Sequence, residues 1–189
     1  MILTLQEKDK YILEKLAKLI FLNDYKIYTT ELSKKNKNHQ NSCSLVISDK
    51  ILVDKLKEKY ELCENKTFKL KFPNFLNKTN LLYSFIRGYF DGDGCITLEN
   101  KNRKAIVSIV CNEIFASGLE KFLIKNGIKA YNYKKGKNNR EIKFRENASV
   151  EKFYKLMYLN TEMYLYRKKD KFEIFKKTIN EKTSNSSKS

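Results

Sequence analysis

Asp91-Gly92-Asp93-Gly94 is the stretch of this sequence best equipped for chemistry. An apolar helical pattern, Phe85-Ile86-Arg87-Gly88-Tyr89-Phe90, runs straight into these two carboxylates, each followed by glycine. Carboxylates at a helix C-terminus meet the negative end of the helix dipole and repel both each other and the free carbonyls. Something positive must compensate, and a hard divalent cation held by oxygen ligands is the natural candidate. Ser84, Gly88 and Gly92 fall four apart, so they form one thin stripe of small residues along the same helix. Such a stripe lets a second helix approach backbone to backbone. A calcium loop of the EF-hand type needs further ligands and a late Glu, but Cys95-Ile96-Thr97-Leu98 follows instead.

The rest of the chain must position that helix end. Its 189 residues suffice for one sizeable domain or two small repeats, and 41% hydrophobic residues with 12 Tyr and 12 Phe provide a core. Lys and Arg number 39 against 22 acids, a net charge of +17. An A/T-rich genome accounts for abundant lysine but not for scarce acids. Nucleic acid is therefore the expected partner, ahead of an anionic membrane surface. Cys43, Cys63, Cys95 and Cys111 form no CxxC pair and His39 is the one histidine, so a zinc site is not expected. No apolar run reaches the length of a membrane helix, and Met1 to Leu5 lacks the basic flank of a secretion signal. The compartment is left open between cytoplasm and organelle, with secretion not expected.

Periodicity predicts strands at Ile2–Leu5, Lys26–Thr30, Ser44–Ser48, Thr67–Phe72, Thr97–Glu99, Ile106–Val110, Ile128–Tyr133 and Glu141–Arg145. It predicts helices at Glu7–Leu22, Ile51–Tyr60, Glu113–Lys125, Val150–Leu159 and, as a last short one, Phe172–Ile179, besides the helix striped by Ser84, Gly88 and Gly92, for which Asn77 to Thr79 offers caps. The lysine-rich Ser33–Ser42 reads as a loop. A repeat emerges: Ile2–Leu5 matches Ile106–Ile109 at an offset of about 104 residues, and Leu45–Ser48 matches Ile142–Arg145 at about 97. The expected organisation is a partial first repeat over 1–72, lacking its leading helix and strand, a complete second repeat over 73–182, and a disordered tail over 183–189.

Ile86 to Gly94 resembles the signature of the LAGLIDADG homing endonucleases, and Phe72-Pro73 and Tyr164 to Lys169 are similar to its bacterial, phage and intein branch. The resemblance implies an α+β fold of αββαββα repeats whose curved antiparallel sheets form a DNA-binding saddle. It implies sequence-specific, Mg²⁺-dependent hydrolysis of double-stranded DNA, as in intron homing. It places the catalytic acid at Asp93, gives metal ligation to Asp93 and the Gly92 carbonyl, and leaves Asp91 to hold the helix end. Family members often use a basic residue near the metal. Lys143 and Arg145, on one face of their strand, are the candidates, and the first copy has no basic counterpart at Val46-Ile47-Ser48. Lys101, Arg103, Lys104, Lys134, Lys135, Lys137 and Arg140 cluster in turns as candidate DNA contacts, with Lys34, Lys35 and Lys37 in the first copy. Tyr131 and Tyr133 read as strand residues and His39 as surface.

Active members need two motif helices, and this sequence has one. The expected remedy is a homodimer, or a partner supplying a second motif helix, meeting at Ser84, Gly88 and Gly92. The alternative is a cleavage-inactive DNA- or RNA-binding remnant, or an intron maturase, on the same fold.

Overall fold

A computed structural model of the chain describes residues 1–21, 25–30, 41–60, 69–76 and 79–186, which divide into two units, Met1–Leu62 and Cys63–Ser189. In the first unit β1 (Ile2–Gln6) leads through a 3-10 turn, Glu7–Asp9, into α1 (Lys10–Phe21). Then come β2 (Ile27–Thr30), β3 (Ser42–Val46) and α2 (Lys50–Tyr60). The strands form an antiparallel sheet of order β1-β3-β2. Alternation turns Leu3, Leu5, Cys43 and Leu45 to one face, where Leu13 and Ala17 of α1 close a small core with Ile47.

The second unit opens with α3 (Thr79–Asp93), followed by β4 (Gly94–Glu99), β5 (Lys104–Asn112) and α4 (Glu113–Lys125). The hairpin β6 (Tyr131–Lys135) and β7 (Asn139–Phe144) precedes α5 (Asn147–Tyr158) and α6 (Tyr166–Ser186). Its sheet runs β4-β5-β7-β6, antiparallel throughout. Ala105, Val107, Ile109 and Cys111 alternate inward along β5 with Ile142 and Phe144 of β7. Phe90 of α3, Phe115 and Leu119 of α4, Phe153 and Tyr158 of α5 and Phe172 of α6 cover that face. The Phe90 ring stands edge-on to Phe153, centroids 5.2 Å apart. The opposite face carries Thr97, Ser108, Glu141, Lys143, Tyr131 and Tyr133 and lacks such a layer among the described residues.

α4 matches its sequence reading residue for residue. The Asn112 side chain caps it by accepting from the Phe115 amide at 2.8 Å, and Gly127 at φ 68° ends it. That left-handed turn delays β6 to Tyr131, later than the expected Ile128.

Three expectations are corrected. Residues 69–72 are not a strand; Phe72 instead docks on α4 where Gly118 makes room, since a Cβ at 118 would overlap the Phe72 ring. The last helix is not short: α6 spans 21 residues, so 183–186 of the expected tail are helical. Its buried stripe, Lys168, Phe172 and Phe175, in register with Leu165 just before it, includes a lysine and therefore reads as broken in sequence. The repeat register also shifts. With Thr4 set on Ser108, the sheet pairs Ser44 with Thr4 and Lys143 with Ser108. Ser44, not Val46, is thus the counterpart of Lys143, and a slip of two residues keeps the face. The expected loop at 33–42 lies outside the described residues up to 40; Ser42 begins β3.

Candidate active site and nucleic-acid interface

Asp91 and Asp93 share the end of α3 but face different surroundings. Asp91 is buried, and accepts from the Tyr158 hydroxyl at 2.5 Å and the Leu165 amide at 3.0 Å. One turn back, Arg87 donates through Nε to the Met163 carbonyl at 2.8 Å and through Nη1 to Met157 at 3.1 Å. These bonds fasten α3 to α5 and to the start of α6. Burial raises the Asp91 carboxyl above its usual range, against the Tyr158 and Leu165 hydrogen bonds and the charges of Lys168 and Arg87.

The positive group required at this helix end is a side chain. Lys168, 4% exposed, donates from Nζ to the carbonyls of Phe90, Asp91 (2.7 Å) and Gly94 (2.6 Å). Phe90 and Asp91 are two of the last four carbonyls of α3, which have no partner within the helix. Lys168 thus neutralises one edge of the helix end. Burial pushes its ammonium down to about 8, while the Asp91 charge pulls it up. The tight turn there needs Gly94, because a Cβ would overlap the Phe90 ring.

Asp93 is exposed and opens into a cleft of about 240 Å³ with Leu70, Tyr89, Val110, Cys111, Asn112 and Asn139. Burial and then the Asp93 charge push the Cys111 thiol up to about 12, and the Tyr89 phenol rises by burial, with Cys111 and Asp93 adding to it. Asn112 is committed to the Leu70 carbonyl at 2.9 Å and to the α4 cap. Among the described residues no three of His, Cys, Asp and Glu converge as a metal cluster. Asp93 with the exposed Gly92 is a partial oxygen donor set.

Lys143 and Arg145 do not line this cleft. The Lys143 ammonium lies 3.3 Å from Glu141 and 5.8 Å from the Tyr133 ring, on the open sheet face; Arg145 is exposed just beyond β7. Lys101, Arg103 and Lys104 are exposed at the β4–β5 turn, where Asn100, Lys101 and Asn102 adopt φ of 50°, 52° and 65°. Lys134, Lys135 and Lys137 are exposed at the β6–β7 turn, Lys135 at 3.7 Å from Glu141. Arg140 is instead tied to Glu113, whose carboxyl it holds below the usual range. Antiparallel register puts the two basic turns at opposite ends of the sheet, about 30 Å apart along nine-residue β5. Asn139 follows the β6–β7 turn, so the cleft lies at that end. Lys34, Lys35, Lys37 and His39 lie outside the described residues.

Ser84, Gly88 and Gly92 are all exposed, and no described atom lies within 4 Å of a Cβ built on Gly88 or Gly92. The sequence reading missed Lys168, Tyr89 and Asn139. A signal for Lys168 existed: a lysine in register with Leu165, Phe172 and Phe175 on an amphipathic stripe.

Residues 80–180, more than half of the chain, match the LAGLIDADG-like domain. The LAGLIDADG meganuclease I-AabMI, solved bound to uncleaved DNA, superimposes with a TM-score of 0.58 at 16% identity, covering 97% of this chain and 82% of that one. The homing endonuclease I-WcaI, solved on its DNA recognition sequence, gives 0.59 at 20% identity over 90% and 74%. The homing endonuclease I-CvuI gives 0.41 at 14% identity over 52% of this chain and 66% of that one. No curated protein matches.

Proposed function

This chain belongs to the LAGLIDADG-like domain family and has the fold of its homing endonucleases, and we propose that it is a sequence-specific endonuclease that hydrolyses both strands of duplex DNA with Mg²⁺. One observation carries the reading. Asp93 is exposed in a cleft beside an open, basic-edged sheet, on a helix whose Gly88 and Gly92 meet no described atom within 4 Å of a built Cβ. The companion acid Asp91 and the helix carbonyls already accept hydrogen bonds from Tyr158 and Lys168 respectively.

The donor set suits Mg²⁺, which keeps several waters and takes one or two carboxylates plus substrate phosphates. Asp93 and the Gly92 carbonyl would hold it. Bound there, the ion offsets phosphate charge and makes water a better nucleophile. Asp93 orients water on the phosphate. Lys168 fixes the helix end and offsets its negative dipole. Lys101, Arg103, Lys104, Lys134, Lys135 and Lys137 hold the backbone of the duplex, and Lys143 and Arg145 add contacts over the open face.

One copy supplies one acid. A second copy, or a partner carrying another motif helix, packs on Ser84, Gly88 and Gly92 and brings the second acid for the second strand. With a single acid of its own in the cleft among the described residues, the chain alone also fits a second reading, that of a binding protein without cleavage.

The test is in vitro selection of a duplex target from a random pool, followed by incubation with Mg²⁺ or EDTA. Double-strand cleavage that needs Mg²⁺ and falls on the order of 10³-fold in Asp93→Asn, with binding retained, supports the enzyme. Retention of duplex with no cleavage under any divalent cation supports the binder.

A further inference from the structure

The strands of the first unit, Ile2–Gln6, Ile27–Thr30 and Ser42–Val46, contain no charged residue. Those of the second unit hold Lys104, Lys134, Lys135, Arg140 and Lys143. Yet the two sheets present matching rows. Tyr28, Ser44 and Thr4 stand side by side in the first as Tyr131, Lys143 and Ser108 do in the second. Thr4 and Ser44 share a hydroxyl bond of 2.8 Å on that face.

Around this row the first sheet exposes apolar side chains. Ile2 is 65% exposed, Tyr28 55% and Val46 38%, and register sets Ile2 beside Val46. Water alone gives no reason to present such a set. In the major groove, guanine is read by Arg or Lys and adenine by Asn or Gln, whereas the thymine methyl is met by apolar groups. These strands offer no Arg or Lys for guanine, one Gln at position 6, and a band of methyl groups.

Resting on the endonuclease reading above, we propose that the open sheet face of the first unit reads thymine methyl groups in an A·T-rich stretch of the duplex. Ile2, Val46 and Tyr28 make the apolar contacts. Thr4, Ser44 and Gln6 hydrogen-bond to base edges. This unit discriminates sequence while adding little to salt-dependent affinity.

The full chain is used to select duplexes from a random 30-base-pair pool in EDTA, and each thymine of the selected sequence is then replaced by deoxyuridine, which removes only the methyl. Binding is expected to weaken about fourfold at each contacted thymine, the burial value of one methyl-sized group. Val46→Ser removes that sensitivity at its own position, and Val46→Thr, which keeps one methyl, retains part of it. The inference is overturned if deoxyuridine is neutral everywhere. It is also overturned if Ile2→Ser, Val46→Ser and Tyr28→Ala leave the selected sequence unchanged, as expected of a face that binds a protein. A chain that retains no duplex at all overturns the endonuclease reading first, and this inference with it.

Discussion

The two units share a kernel and differ in what is added to it. In each, a strand leads into a helix, a hairpin follows, and a second helix closes the order β1-β3-β2 or β5-β7-β6. The second unit adds α3 and β4 before the kernel and α6 after it. Every feature suited to hydrolysis sits in those additions: Asp93 and the glycine stripe on α3, Gly94 at the turn into β4, Lys168 on α6. The charge divides the same way. Residues 1–62 hold 12 lysines and 9 acids, whereas residues 63–189 hold 27 basic residues and 13 acids. The kernel is a surface-making device. It becomes a candidate active site only where a helix end is brought to its edge and neutralised from behind.

The largest expected effect follows from that contrast. A Cβ on Gly88 meets no described atom within 4 Å. Gly88→Leu should therefore leave the fold intact and stabilise α3 by about 0.5–1 kcal/mol, the helix penalty of glycine. If a second helix must pack there, the same change should abolish association and lower cleavage on the order of 10²-fold or more. Thermal melts, solution mass with and without duplex, and cleavage rates read all three. Full activity in a stabilised Gly88→Leu chain would break the claim that the second unit needs a partner helix.

Lys168→Met tests the neutralised helix end. It strands the Phe90, Asp91 and Gly94 carbonyls and leaves Asp91 buried with less compensation. A loss of about 3 kcal/mol is expected in denaturant unfolding. The pH dependence gives a second reading. The folded ammonium titrates at about 8, below the ordinary 10.5, so between these values the unfolded chain holds the extra proton. Unfolding then takes up a proton, and stability rises with pH across that window, by at most about 1.4 kcal/mol per pH unit. The rise should vanish in Lys168→Met.

How far the sequence shows all this depends on the signal each element carries. Helices α1 and α4 have one apolar face and a clean period, and α4 has its cap in view at Asn112. β5 is legible as a β-branched run, Ile106 to Val110, broken only at Ser108, although the run itself does not say which of its faces is buried. The acid-bearing helix end is legible from its spacing. For its compensation the stripe marks Lys168 only as an inward-facing lysine; its target is not legible, because Lys168 lies 75 residues beyond Asp93 and acts through carbonyls that any sequence would supply. The shared cleft of Asp93 with Asn139 likewise arises from strand register. Residues 69–72 alternate like a strand, yet their partner is Gly118, a contact that periodicity does not encode.

Smaller effects sharpen the electrostatic half of the comparison. Replacing Lys134 and Lys137 together by Gln should flatten the slope of log affinity against log salt by about two units, one per lost phosphate contact, with sequence preference unchanged. Filter binding over a salt series measures this, and an unaltered slope would take the β6–β7 turn off the duplex.

The reverse substitution, in the first unit, has the smallest expected effect and the clearest logic. Ser44 occupies the row position of Lys143, and Ser44→Lys gives the uncharged sheet the ammonium it lacks. It forfeits one exposed hydroxyl bond to Thr4, worth about 1 kcal/mol or less. If this face lies on duplex, the salt slope should steepen by about 0.9 and non-specific affinity should rise, while discrimination among targets falls. If slope, non-specific affinity and discrimination all stay where they were, position 44 does not face the duplex, and the matching rows of the two units reflect likeness of fold rather than shared use.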